Sequence, residues 1–185
     1  MTTAIKLFED GLSWLKNNYS NHQFFKERDI VWLLQTYLIK CIRDENLPYK
    51  IFNDFAIDMS KRIYIDLVIC NQKDDIDKQG NLLKDKVLEL AVEFKYEPDH
   101  KRGGNGGDIP AKKFPVVFWK EGILKDIERV KNIVNSGKSK AGYSIFIDEG
   151  DHFHKKHKLD IPLGSQWEDW SNDIWVLKYY ESILR

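Results

Sequence analysis

No apolar run in this chain approaches the roughly 20 residues that a helix needs to cross a bilayer. The N-terminus also lacks the charged-then-apolar layout of a signal peptide and carries an acidic residue by Glu9. Neither a membrane span nor a secretory leader is expected, and the chain reads as cytoplasmic. Cysteine is scarce, with only Cys41 and Cys70. Both lie in apolar runs, where a reduced thiol behaves as a small hydrophobe, which excludes a disulfide scaffold and fits a reducing compartment. Charge of either sign lacks an excess: Lys plus Arg and Asp plus Glu each number 29. No global positive field therefore draws the protein to nucleic acid, and such a partner has to be held by a local patch. Internal repeats and low-complexity domains are missing at the usual periods. The glycine-rich segment His-Lys-Arg-Gly-Gly-Asn-Gly-Gly lacks the Gly-Lys-Ser/Thr ending of a phosphate-binding loop, which argues against nucleoside triphosphate binding.

What is present suffices for one globular domain over residues 1–185. Hydrophobic residues make up 42% and charged residues 31% of 185 positions, enough for a core and a wet surface. Ile5, Phe8, Leu12, Leu15 and Tyr19 recur at spacings of three and four, the stripe of an amphipathic helix. Tyr19-Ser20-Asn21 offers N-cap candidates for a second helix, with Ile30, Val31, Leu34, Leu38 and Cys41 on one face until Leu47-Pro48 ends it. Beyond Pro48 the texture changes to β-branched and aromatic runs: YKIFNDFAID, KRIYIDLVIC and KVLELAVEFKYE. These predict a three-stranded meander, with Gln79-Gly80-Asn81 turning at the tip of the second hairpin. Glu97 to Gly122 reads as a mobile loop, and ILKDIERVKNIV as a crossover helix stopped at Gly137. AGYSIFID predicts a fourth strand and DIWVLKYY a last one, with the tryptophan-rich segment between them an appendage.

Four charged residues stand out against this pattern. Glu27 precedes Ile30 and Val31 by three and four residues, so the helix aims a carboxylate at the core side. Asp66 sits within Ile65, Leu67, Val68 and Ile69 on a strand whose two faces both read as buried, and an unpaired charge there costs several kcal/mol unless a cation is close. On the next strand Leu88, Leu90, Val92 and Phe94 share one face, leaving Glu89, Ala91, Glu93 and Lys95 on the other. If the strands pair as a meander, Asp66 stands near Glu93. Two converging carboxylates suit a hard divalent cation, and Mg2+ is the expected metal. A lysine beside such an ion suits attack of water on a phosphodiester, which it positions or helps to deprotonate.

Glu27 on a helix, Asp66 in Ile-Asp-Leu-Val-Ile, and Glu93-Phe94-Lys95 together resemble the PD-(D/E)XK nuclease superfamily, the restriction-endonuclease-like fold. The resemblance spans roughly Phe24 to Asp148 and departs in one place, where Ile65 stands for the proline before Asp66. It implies an α/β protein with an α-β-β-β-α-β core: a mixed sheet flanked by helices, here with an extra N-terminal helix and a C-terminal strand appendage. It also implies a metal-dependent endonuclease hydrolysing DNA to 5′-phosphate products, with frequent homodimers. Asp66, Glu93 and Glu27 would bind Mg2+, with Mn2+ as substitute, and Lys95 would serve catalysis. Lys101, Arg102, Lys112 and Lys113 follow closely and are candidates for phosphate contacts. The alternative is a catalytically inactive module of the same fold that binds nucleic acid or a protein partner.

Other signals read as structural. His152, His154 and His157 lie among lysines with no cysteine nearby, so a basic surface loop is expected rather than a zinc site. Trp167, Trp170 and Trp175 read as core anchors. Asp126 and Arg129, three residues apart, read as an ion pair on an exposed helix side.

Overall fold

The computed structural model describes residues 3–58, 63–71, 87–101 and 116–183. Within them the chain forms a mixed α/β sandwich. Helix α1 (Ala4–Asn18) starts where the Thr3 hydroxyl accepts the Lys6 N–H at 3.1 Å. Tyr19–Asn21 makes a short 3-10 turn rather than a cap, and α2 (Glu27–Asp44) starts later. Its first turn is closed by the Asp29 carboxylate, which accepts the Phe25 and Lys26 N–H groups at 2.8 Å. Glu27 is thus the first residue of the helix.

The meander is β1 (Tyr49–Asp58), β2 (Ile63–Asn71) and β3 (Leu90–Glu97), antiparallel throughout. The expected turn at Gln79-Gly80-Asn81 lies outside the described residues. A π-helical turn (Trp119–Leu124) leads into α3 (Lys125–Asn135), so the end of the expected loop is helical. Gly137 closes α3 at φ 74°, a left-handed conformation that glycine adopts without strain. Strand β4 (Ala141–Glu149) pairs in parallel with β3, and β6 (Ile174–Ser182) antiparallel with β4. The tryptophan-rich segment holds β5 (Ser165–Asp169), a strand missed in the sequence because its five residues, SQWED, carry almost no apolar alternation. Spatial order is β1-β2-β3-β4-β6-β5.

Helices α1 and α2 cover one face of the sheet and α3 the other. Leu7, Phe8, Leu12, Leu34 and Leu38 meet Leu67, Ile69, Leu90, Val92 and Phe94 in the larger core. Each such side chain contributes about 1.5–3 kcal/mol on burial. On the opposite face Val130 packs with Phe146 and Leu177, while Ile133 packs with Ile65, Val68 and Cys70. Neither cysteine is in a disulfide; Cys70 is buried and Cys41 half-buried. Among the described residues no helix is long and apolar enough to cross a membrane.

One irregularity positions the site. A strand with period two cannot place residues three apart on one face, yet Ile65 and Val68 share a cluster, as do Phe52 and Phe55. Both strands change face across the facing positions Asp54 and Asp66, which drop out of the ladder between Asn53↔Leu67 and Phe55↔Ile65. Asp54 carries φ 49°, a strained value for a non-glycine residue. On its other side β2 pairs with β3 only as far as Leu67↔Val92. The sheet is therefore open around Asp66. Ile65 does not share a face with Leu67 and Ile69 as simple alternation predicts, and Asp66 and Tyr64 are half-buried and exposed rather than enclosed on both sides.

Helix α3 approaches the sheet closely at Gly142. A Cβ there would stand 2.6 Å from Val130 Cγ1 and 3.3 Å from the Ala91 carbonyl oxygen. Gly142→Ala is expected to destabilise the fold by about 1–3 kcal/mol through overpacking, read as a lower urea midpoint at unchanged m-value.

Candidate active site

Where β2 and β3 part, the Asp66 carboxylate takes over the role of a strand partner and accepts the Phe94 backbone N–H at 2.7 Å. Glu93 and Lys95, on the same face of β3, flank this bond. Glu93 is 1% exposed, and its Oε1 accepts from the Arg129 guanidinium at 2.6 Å. Lys95 reaches between the two helices, with its ammonium 3.5 Å from Glu27 Oε2 and 3.0 Å from Asp126 Oδ2. It also donates to the Phe94 carbonyl at 3.1 Å. Asp66, Glu93, Lys95 and Glu27, singled out on separate elements, are thus brought into one cluster.

Two members were misjudged in the sequence. Asp126 and Arg129 do pair, at 3.4 Å, but not on an exposed face: Asp126 is 2% exposed and points at Lys95. The signal was available. Asp126 follows Ile123 by three residues and precedes Val130 by four, the same placement on an apolar stripe that marked Glu27.

Four carboxylates share this space with two cations, leaving a deficit of two positive charges. The consequence appears in the proton affinities. Burial pushes Glu93 up to about 9, with the Asp66 carboxylate adding to the effect. Burial likewise pushes Glu27 up to about 7, against the attraction of Lys95. Asp126 is raised by burial, with Lys95 opposing. For Lys95, burial favours the neutral amine, but Glu27 and Asp126 outweigh it and hold the group well above its ordinary value. Arg129 follows the same logic, with Glu93 outweighing burial.

The donor set suits a hard divalent cation by its chemistry. It is made of carboxylate oxygens, and four carboxylates stand beside only two cations, while buried Asp126 Oδ2 is held by Lys95 at 3.0 Å. Among the described residues no three His, Cys, Asp or Glu side chains are drawn together tightly enough to enclose an ion, and Lys95 and Arg129 stand among the acids instead.

Of the candidate phosphate contacts, Lys101 is exposed beside Asp99, and among the described residues no ion pair ties it to the cluster. Arg102, Lys112 and Lys113 lie outside the described residues. The histidines are packed rather than solvated, because each has an aromatic neighbour that covers it. His154 stacks on Trp175 at 3.6 Å with its Nδ1 2.9 Å from Asp151, His157 stacks on Trp119 at 3.9 Å, and His152 on His100 at 3.9 Å. They face three different partners and share no common centre. Trp170 is buried in the larger core and Trp167 packs at the smaller, as anchors do. No protein-family model matches this chain, and neither does any curated protein or solved structure.

The proton affinities set a pH dependence. An acid whose folded pKa exceeds its ordinary 4.5 binds more protons folded than unfolded, so stability falls as pH rises through that window. The metal-free protein should lose stability from about 4.5 to about 7 through Glu27 and on to about 9 through Glu93. Urea titrations across this range should show a shallower decline for Glu93→Gln than for the wild type. Identical slopes would mean that Glu93 is ionised in the folded state.

Proposed function

We propose that this protein is a metal-dependent nuclease of restriction-endonuclease-like architecture, hydrolysing phosphodiester bonds of DNA. The observation that carries the reading is the convergence of Asp66, Glu93, Lys95 and Glu27 at the opening between β2 and β3. The element order from α2 to β4, a helix, an antiparallel meander, a helix and a strand parallel to β3, supports it as well.

Asp66 and Glu93, with Glu27 beside them, are the residues that would hold Mg2+ or Mn2+. Such an ion supplies Lewis acidity toward the phosphoryl oxygens and a more acidic water. Asp66 already spends one oxygen on Phe94 N–H, which orients its carboxylate. A bound cation favours ionised Glu93 and Glu27, lowering both from their raised values. Lys95 is held as an ammonium by Glu27 and Asp126, so its role is to orient the attacking water and stabilise negative charge on the phosphate, not to remove a proton. Water oxygen joins phosphorus, the bond from phosphorus to the 3′ oxygen breaks, and the water's proton reaches that oxygen through solvent.

A second reading, an inactive module binding nucleic acid or a protein, draws on one observation. Arg129 and Lys95 already partner the acids that a metal would need. Calorimetry separates the two: Mg2+ or Mn2+ affinity that vanishes in Asp66→Ala and Glu93→Ala supports the nuclease, and its absence in the wild type supports the module.

Purified protein incubated with plasmid and Mg2+ or Mn2+ should nick it. Asp66→Ala and Lys95→Ala, purified identically to control for contaminating nuclease, should be slower by about 100-fold or more. Equal nicking by these variants would remove the proposal.

A further inference from the structure

Beside the charged cluster, between α2 and β1, lies a cleft of about 330 Å³ lined by Glu27, Arg28, Trp32, Asn53, Asp54 and Asp66 among others. This volume is at the lower end of the range for small-molecule sites, about 300–1,000 Å³, and suits one planar group rather than a large ligand. Two of its residues are unsatisfied in ways that point to the same occupant.

The first is Trp32, 66% exposed on α2. The protein has six tryptophans, and the other five each have an aromatic neighbour: Trp14 on Tyr37, Trp119 on His157, Trp167 on Phe146, Trp170 on Tyr19 and Trp175 on His154. Among the described residues no ring pairs with Trp32. The second is Asn53. Its Nδ2 donates to Gln35 Oε1 at 2.6 Å, which fixes the amide, and its Oδ1 is buried without a hydrogen-bond partner. A free indole face and a free buried acceptor beside it call for a flat group that carries an N–H donor on its edge. At the rim, the Arg28 guanidinium is largely exposed, 3.1 Å from Asp54, and offers a cation to a phosphate.

An unpaired nucleobase has these properties. Every base has a π-face for stacking on an aromatic ring. The N–H donors of its pairing edge are free only when it is out of a duplex. Asp66 lines the cleft and also borders Glu93, so a base seated here lies next to the position where the scissile phosphate would be held.

We propose that the Trp32–Asn53 cleft is a nucleobase subsite, and that the substrate class is nucleic acid with an unpaired nucleotide at the cleavage position, single-stranded or frayed rather than intact duplex. The proposal rests on the phosphodiesterase reading of the neighbouring cluster.

The test measures binding of a short single-stranded oligonucleotide of mixed sequence, and of the same sequence as a blunt duplex, by fluorescence anisotropy with Ca2+ replacing Mg2+. The wild type should bind the single strand more tightly. Trp32→Ala should weaken single-strand binding by about tenfold or more, the range that one stacked base supplies. Trp32→Phe should recover most of that loss, and the single-strand oligonucleotide should quench wild-type tryptophan emission more than that of Trp32→Phe. Single-strand affinity within twofold of wild type in Trp32→Ala, or equal losses for both oligonucleotides, overturns the subsite. These outcomes separate it from the nuclease reading. Plasmid nicking that requires Asp66 while Trp32→Ala changes nothing sinks the subsite alone. Trp32-dependent single-strand binding without Mg2+- or Mn2+-dependent cleavage of that strand sinks the nuclease reading and keeps the subsite as a binding site.

Discussion

The bond from the Phe94 N–H to the Asp66 carboxylate stands where a backbone carbonyl of β2 would otherwise accept. By filling that role a side chain lets β2 and β3 diverge beyond Leu67↔Val92 without orphaning a buried amide. The divergence leaves room for Glu93, Lys95 and Asp126 between the strands and α3. On the other flank Asp54, with its strained backbone, stands opposite Asp66 on β1 and lines the adjoining cleft with Trp32. A single opening in the sheet therefore sets both the acidic cluster and the space that adjoins it.

Electrostatics within the opening follow from counting. Four carboxylates and two cations cannot all be ionised in a buried volume without cost, so protons are retained on Glu93 and Glu27 near neutral pH, as like charges in poor solvent require. The two cations are divided by geometry. Arg129 comes from α3 to Glu93, whereas Lys95 comes from the sheet to bridge Glu27 on α2 and Asp126 on α3. Lys95 thus ties together the two helical layers through the open end of the sheet. Two retained protons bring the four carboxylates into balance with the two cations.

Much of this was legible in the chain. Strand β1 begins and ends where its β-branched and aromatic run does, and α1 and α3 follow their apolar stripes, because these patterns encode which face must leave water. Asp66 and Glu27 were visible as charges set among apolar neighbours. The parity of Glu93 and Lys95 followed from the two-residue repeat of a strand. Less legible was β5, whose polar residues are held by pairing with β6 and not by burial. The histidines read as a wet basic loop because the rings that cover them, Trp119, Trp175 and His100, come from distant segments.

What the sequence alone determined is which side chains are anomalous for their element, since burial pattern and charge are local properties of a periodic chain. What only the tertiary structure decided is which anomalies meet. The change of face at Asp54 and Asp66, the turn of Asp126 and Arg129 toward Glu93 and Lys95, and the exposure of Trp32 beside the Asn53 acceptor all depend on where non-adjacent segments pack. Such contacts are set by the fit of whole layers against one another, and no window of sequence contains them.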